Sequence, residues 1–169
     1  GVPIVGLEPS CVFTIKDELP ALISGKPSKR LAEHVQLLEE YLITEKNAGL
    51  LDLKFHTSGP EKVLLHGHCH QKAFDAVDST IKLLEGVPGV EVETIPSGCC
   101  GMAGSFGYQA EHYEVSMEMA ELSLLPRIRQ AKANEHIAAC GTSCRHQIEH
   151  GSGRSVRHPI SMLRHWCWT

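Results

Sequence analysis

The stretch KVLLHGHCHQKAFDAVDSTIKLLEG, residues 62–86, joins two patterns that together indicate an α/β fold. Its first part, 62–67, is a short apolar run, which is typical of a strand buried inside a sheet. Its second part, 71–86, is an amphipathic stretch of the kind that packs one helix face against a core. Cys69 lies between them, where the predicted strand has ended and the helix has not yet begun.

Apolar runs and amphipathic stretches alternate along the rest of the chain. The predicted strands are 2–7, 62–67, 90–95 and 136–140, and the predicted helices are 29–46, 71–86, 111–133 and 158–166. Ser28 is the expected cap of the first helix, Pro126 is expected to kink or divide the third, and Pro159 stands near the start of the last. This order predicts an α/β fold, Rossmann-like, with a mostly parallel sheet and helices on both of its faces.

The composition suits one domain and excludes several functional classes. A chain of 169 residues is long enough to bury a core, and its net charge of −4 provides no basic field for binding nucleic acid. No apolar run approaches the roughly 20 residues of a membrane helix, and the first residues do not resemble a signal peptide. We therefore expect a cytoplasmic location, with peripheral attachment to the inner face of the membrane as the alternative. Gly1 looks like a cut inside a longer polypeptide.

Cysteines are the residues most informative about function. They stand at positions 11, 69, 99, 100, 140, 144 and 167. All except Cys167 lie at or just after the end of a predicted strand, and parallel strands bring their carboxyl ends to one edge of a sheet. Without an export signal, clustered thiols favour a metal or redox site over disulfides. Soft thiolate sulfur suits both iron–sulfur clusters and zinc, so both remain open at this point.

The double cysteine lies in a loop with very few side chains, GCCGMAG at 98–104. Gly98, Gly101 and Gly104 would let the backbone approach a cofactor closely and point amide N–H groups at sulfur. A tight turn alone is the alternative reason for these glycines. His68, beside Cys69, is a candidate to donate a hydrogen bond to a ligand, whereas His66 is expected to pack or to cap.

Three segments resemble the cysteine-rich CCG domain family: HGHCHQKA at 66–73, GCCGMAGSFGY at 98–108 and GTSCRHQI at 141–148. That family includes a cysteine-rich component of heterodisulfide reductase and the iron–sulfur components of glycolate oxidase and anaerobic glycerol-3-phosphate dehydrogenase. The resemblance covers nearly the whole chain and is closest to the carboxyl-terminal part of FAD-linked D-2-hydroxyacid dehydrogenases of the D-lactate or glycolate type. By this resemblance the metal ligands are Cys69, Cys99, Cys100 and Cys144.

The resemblance also implies a duplicated architecture within a single cysteine-rich domain spanning 1–169. Residues 1–60 would hold the second half of a first repeat plus connecting helices, and 61–169 a complete second repeat. Cys11 would then be the closing cysteine of the first copy. The similar segments IVGLEPSC (4–11) and IAACGTSC (137–144) agree with a duplication, although so short a match can arise by chance. Trp166 and Trp168 would pack against the missing half.

The chain departs from the family pattern at one ligand position. Members close the motif with C-x-x-C, but here Gly141 stands in the place of the first cysteine and Cys140 comes one residue earlier. Cys11 and Cys140 are therefore additional candidate ligands.

The function implied by the resemblance is electron transfer. In the parent enzyme an iron–sulfur cluster of the 4Fe–4S type would pass electrons from a reduced flavin to an acceptor. FAD would lie in the missing part, and the FAD-binding and ferredoxin-like domains would be the partners, so this chain is not expected to be active by itself. The alternative is a zinc-binding or metal-free structural or interaction module of the same parent.

Overall fold

A computed structural model describes residues 1–56 and 59–167. The strands in these ranges are β1 (Ile4–Gly6), β2 (Val35–Leu37), β3 (Glu61–His66), β4 (Val90–Thr94) and β5 (His136–Ala139). β1 and β2 pair in parallel as a small sheet, and β4, β3 and β5 form a parallel sheet in that order. The predicted α/β class with a mostly parallel sheet is confirmed.

The helices surround these strands. They are α1 (Pro9–Phe13), α2 (Leu19–Leu22), α3 (Lys26–Ala32), α4 (Leu38–Asn47), α5 (Cys69–Ala73), α6 (Val77–Glu85), α7 (Tyr113–Glu121), α8 (Leu124–Arg129), α9 (Thr142–Ser152) and α10 (Pro159–Trp166). A π-helical turn, Thr14–Glu18, joins α1 to α2, and two 3₁₀ turns, Phe106–Tyr108 and Ala110–His112, precede α7. In the described part of the chain, none of the helices combines the length and apolarity needed to cross a bilayer.

Alternating side chains of β3 divide the core of the larger sheet into two layers. Leu64 points to one face, where it packs with residues of α8 and α9 such as Ile128 and Ile148. Val63 and Leu65 point to the other face, toward α6 and α10. Helices therefore cover both faces of this sheet, as the sequence predicted.

The predicted helix 29–46 is wrong in its middle. Val35 and Leu37 are buried and alternate with a more exposed residue, and the strand they form pairs with β1. This pairing is non-local, so helical propensity along the segment does not reveal it. Ser28 is not the cap, because it lies inside α3 and its hydroxyl donates to the carbonyl of Gly25.

Two other long helices are divided. The stretch 71–86 contains the end of α5 and all of α6, separated at Asp75, whose φ of 54° is left-handed. The stretch 111–133 breaks into α7 and α8 just before Pro126, which confirms the expected division. Trp166 is buried in this chain's own core rather than against a missing half, and Trp168 lies outside the described residues.

The small sheet lies within residues 1–60 and the larger sheet within 61–169. Each of β1 and β5 is followed by a turn and a helix that carries a cysteine near its start. The division into two repeats stays a prediction.

Candidate metal centre

Three loops bring four cysteines to the carboxyl edge of the larger sheet. Cys69 begins α5, three residues after β3 ends. Cys99 and Cys100 occupy the loop that follows β4, and Cys144 lies in the first turn of α9, after β5. Because the three strands are parallel, their following loops meet at one edge.

The four sulfur atoms form a continuous row of contacts. Cys69 contacts Cys99, Cys99 contacts Cys100, and Cys100 contacts Cys144 through hydrogen-bond interactions between the side chains. The row leads from the surface inward, because Cys69 is exposed, Cys99 half-buried, and Cys100 and Cys144 buried. All four are free thiols. The structure thus brings together the four cysteines that the sequence singled out.

His66, at the end of β3, adds a nitrogen donor at the buried end of the row. A nitrogen of its ring, the Cys100 Sγ and the Cys144 Sγ form a group in which all ligand atoms lie within 4.8 Å of one another. The ring Nδ1 lies 2.8 Å from the Ser97 hydroxyl, whereas Nε2 is buried and has no hydrogen-bond partner within residues 1–56 and 59–167. A buried, unpartnered imidazole nitrogen beside two thiols is a suitable metal ligand.

The expectation that His66 packs agrees with its complete burial, but that expectation does not place the ring beside Cys100 and Cys144. One feature of the sequence could have indicated that His66 lies at the site: it is the last residue of the strand that precedes Cys69. Its direction relative to Cys144 depends on the pairing of β3 with β5, which the sequence does not show.

Close packing of the sulfurs separates their pKa values. Hydrogen bonds from Cys100 and then from Cys69 hold the pKa of Cys99 far below its ordinary value. Side-chain hydrogen bonding with Cys100 also lowers the pKa of Cys144 to about 5, with the nearby His66 and His68 rings adding to the effect. Donation to these sulfurs raises the pKa values of Cys69 and Cys100 in turn. Ionisation is therefore favoured at alternate members of the row, Cys99 and Cys144, and a bound cation would balance the negative charge of their thiolates.

Lys72, on α5, brings a positive charge to the same edge. Its Nζ donates to the carbonyl of Gly98 at 3.0 Å and to that of Ser97. Partial burial lowers the pKa of Lys72, and the neighbouring thiolates, Cys144 foremost, oppose that shift. Lys72 therefore ties the start of the double-cysteine loop to α5 while remaining close to the sulfurs.

Gly101 fixes the far side of the double-cysteine loop. Its amide donates to Cys99 Sγ at 3.3 Å, and its φ is 93°. A Cβ built on Gly101 would lie 2.1 Å from the carbonyl oxygen of Ser116 on α7. Gln147 of α9 donates to that same oxygen at 3.0 Å, so the loop, α7 and α9 meet at one buried polar contact.

The other two candidate glycines are less constrained. Gly98 and Gly104 each have open space where a Cβ would stand, although Gly104 has a positive φ of 68°. Both supply carbonyl oxygens, to Lys72 and to Ser143 respectively. Their proposed contact with a cofactor stays a prediction.

His68 lies beside the row and close to Gly141. Its Nδ1 is 3.8 Å from Cys69 Sγ and accepts the amide of His70 at 3.2 Å. Burial lowers the pKa of His68. A Cβ at position 141 would lie 2.4 Å from the ring Cδ2 of His68 and 3.2 Å from Cys144 Sγ. The histidine thus occupies the space into which a side chain at 141 would extend.

Glu8, in the turn between β1 and α1, joins the small sheet to this edge. Its carboxylate accepts the amide of Thr142 at 2.8 Å and the hydroxyl of Ser10 at 3.0 Å. Burial raises the pKa of Glu8, but the hydrogen bonds, with that from Thr142 largest, outweigh burial and leave its pKa lowered.

The remaining candidate cysteines lie apart from the contacts of the row. Cys11 is exposed on α1. Cys140, directly after β5, is buried and contacts Glu39 and Thr80. Cys167, which is not a candidate ligand, follows α10, and its backbone pairs with that of Phe55 in an isolated antiparallel β-bridge. Ligation by Cys11 and Cys140 stays a prediction.

Comparison with known proteins connects this chain to dehydrogenases. It is 31% identical over 164 residues to one of the subunits of the anaerobic glycerol-3-phosphate dehydrogenase from Escherichia coli K12. It is 30% identical over 173 residues to D-2-hydroxyglutarate dehydrogenase of the same organism, and 29% identical over 168 residues to that of Pseudomonas putida KT2440.

Each of these similarities covers 96% of this chain. The chain spans 40% of the glycerol-3-phosphate dehydrogenase polypeptide and 15% of each D-2-hydroxyglutarate dehydrogenase. No protein-family model matches the chain, and no solved structure matches it. Its relatives are therefore oxidoreductases, of which it corresponds to a part.

Proposed function

We propose that this chain is an electron-transfer domain of the cysteine-rich CCG type that holds an iron–sulfur cluster at Cys69, Cys99, Cys100 and Cys144. The observation that carries the proposal is the continuous row of four free thiols at one sheet edge. Four soft donors from three loops fit an iron–sulfur cluster, whose usual ligands are cysteine thiolates. The dehydrogenase relatives support an oxidoreductase context.

The protein's own groups prepare this edge to hold thiolates. The Gly101 amide donates to Cys99 Sγ, and the Lys72 ammonium lies near the row. Both favour the ionised form of sulfur that a metal requires. A bound cluster would supply one-electron redox chemistry at a potential set by hydrogen bonds to sulfur and by solvent exposure.

The four cysteines become more buried from Cys69 to Cys144, and this gradient suits electron transfer between the protein surface and a buried cluster. Cys100 and Cys144 are shielded by the core layer that contains Met102, whereas Cys69 reaches solvent. The exposed end offers a short path to an electron donor or acceptor. We place the chain in a FAD-linked 2-hydroxyacid dehydrogenase, with the flavin on another part of that enzyme, and we expect no dehydrogenation by this chain alone.

Zinc is the second candidate, and one observation favours it. The His66 ring together with Cys100 and Cys144 forms a compact buried trio of the ligand types that zinc takes. A zinc ion there would make the chain a structural module of the same parent enzyme.

Metal analysis after anaerobic purification tests both functions. If the chain holds the cluster, the unsubstituted chain should contain iron and acid-labile sulfide. Most of this iron and sulfide should be lost in Cys99→Ser and in Cys100→Ser but retained in the control Cys167→Ser. His66→Gln separates the two functions, because it should leave the iron content near its original value yet remove a zinc ion held by the trio. Zinc without iron or sulfide in the unsubstituted chain would contradict the electron-transfer function.

A further inference from the structure

A second group of metal-ligating side chains lies between α4, β5 and α10. The Glu39 carboxylate, the Cys140 thiol and the His158 imidazole place their ligand atoms within 4.8 Å of one another. Glu39 and Cys140 are 0% and 1% exposed, and the His158 side chain is 12% exposed. None of the three belongs to the row of four thiols.

Glu39 has an unusual environment for a carboxylate. It is fully buried, and its Oε1 accepts from Cys140 Sγ at 3.5 Å while lying 3.9 Å from His158 Nε2. Its Oε2 is buried and has no hydrogen-bond partner among the described residues. A buried carboxylate is unfavourable unless its charge and its oxygens are both satisfied, and a thiol is a weak donor. One oxygen of this group is thus unsatisfied.

From this arrangement we propose that Glu39, Cys140 and His158 bind a zinc ion at a site separate from the row of thiols. Thiolate and carboxylate together carry the two negative charges that balance Zn²⁺, and the imidazole completes a donor set typical of zinc. The ion would give the buried group no net charge, which removes the cost of burying the carboxylate alone.

Ligand spacing agrees with tetrahedral coordination. Zinc bonds of about 2.3 Å to sulfur and about 2.1 Å to oxygen or nitrogen separate tetrahedral ligand atoms by about 3.4–3.6 Å. The sulfur–oxygen separation is 3.5 Å, and the nitrogen–oxygen separation is 3.9 Å, so only small movements are needed. Coordination through Nε2 replaces the hydrogen bond that this nitrogen makes with the Leu7 carbonyl at 3.1 Å, and it moves the ring proton to Nδ1, which then no longer accepts the Ile160 amide at 3.2 Å.

An open approach to the site is also present. A cavity of about 370 Å³ reaches Cys140 and His158 and is lined as well by Leu7, Glu8 and Thr142. It provides a route for the ion and room for a water molecule as the fourth ligand. The bound ion would connect the start of α4, which follows β2, to the start of α10.

Counting zinc in the whole chain tests the site. The chain is reconstituted anaerobically with iron and sulfide, incubated with Zn²⁺ and desalted, and we expect one tightly held zinc per chain. Cys140→Ser and Glu39→Gln should each remove that zinc, while the control Cys167→Ser should keep it. Circular dichroism verifies that the variants are folded.

The row of thiols is distinguished within the same experiment. Cys69→Ser should change iron content and leave the zinc bound by Glu39, Cys140 and His158 unchanged. If the row of thiols also holds zinc, the unsubstituted chain should bind two zinc ions, and Cys140→Ser should remove only one of them. The proposed zinc site would be contradicted if the reconstituted, unsubstituted chain held no zinc tightly. It would also be contradicted if this chain and folded Cys140→Ser held equal amounts of zinc.

Discussion

Gly101 meets two restrictions at once, a positive φ and a backbone oxygen where a side chain would begin. Gly101→Ala would place its Cβ 2.1 Å from the Ser116 oxygen at a φ of 93°. We expect the free energy of unfolding to fall by about 2–4 kcal/mol, because strain and overpacking add. Gly104→Ala is the matched control, with a φ of 68° but open space around it, and should cost about 1 kcal/mol. Equal losses in urea denaturation would contradict the contact with Ser116.

Opposite pKa shifts should make two neighbouring thiols react differently with pH. In the metal-free chain, Cys99 is held as thiolate by donation from Cys100 and Cys69, whereas donation to Cys99 raises the pKa of Cys69. Since thiolate is the reactive form, Cys99 should be alkylated at a rate that is flat from about pH 6 to pH 9. Cys69 should react only at higher pH, although it is the more exposed. Initial rates of iodoacetamide labelling, resolved by mass spectrometry, measure this, and a reversed order would disprove the assignment.

Among the contacts between secondary-structure elements, Glu93 connects β4 to both β3 and α8. Its carboxylate accepts from Lys62 Nζ at 2.8 Å and from Arg127 Nε at 2.7 Å. These partners, Lys62 first, lower the pKa of Glu93 below its ordinary value. A lowered pKa stabilises the fold above the unfolded-state pKa, and that contribution disappears as the pH falls through the folded-state value.

Glu93→Gln should therefore lower the melting temperature slightly at neutral pH and leave it unchanged once the pH is below the lowered pKa of Glu93. The loss should be small because the Glu93 side chain is 33% exposed and water screens such pairs. Glu91→Gln serves as the control, since Glu91 lies 4.0 Å from Lys62 and is 76% exposed. A difference for Glu93→Gln that persists undiminished at low pH would show that charge is not its cause.

The elements that can be predicted well from the sequence are those defined by their own residues. The strand predicted at 62–67 has an apolar centre at 63–65, and the final helix combines a favourable start at Pro159 with an amphipathic pattern; both elements are present. The segment Val35–Leu37 lies within a stretch whose apolar pattern is helical. Its strand cannot be predicted from that pattern, because the strand depends on pairing with β1, which is distant along the chain. The four cysteines are recognisable from their residue type and loop positions, whereas His66 requires knowledge of which strands are neighbours.

Across the fold as a whole, only one of the two core layers is continuous with the row of thiols. The layer that contains Leu64 also contains Cys100 and Cys144, whereas the layer with Leu83 lies on the opposite face of the sheet. Leu64→Ala and Leu83→Ala remove the same number of buried atoms from fully buried positions. Each should lower the free energy of unfolding by about 2–5 kcal/mol.

The two variants should differ at the metal centre. Leu64→Ala leaves a cavity in the core layer that contains Cys100 and Cys144 and should reduce the iron retained after reconstitution, while Leu83→Ala should retain as much iron as the unsubstituted chain. Iron and sulfide per folded chain, measured together with stability, provide the comparison. An equal loss of iron in both variants would mean that the centre depends on overall stability rather than on the layer beneath it.

Contact between His68 and position 141 has an evolutionary consequence. Because any Cβ at 141 would overlap the imidazole of His68, the two positions are not free to substitute independently. Lineages with histidine at 68 should retain glycine at 141, and those with a small residue at 68 can accommodate cysteine at 141. We therefore expect Gly141→Cys to be tolerated only after the imidazole at 68 has been replaced by a smaller side chain.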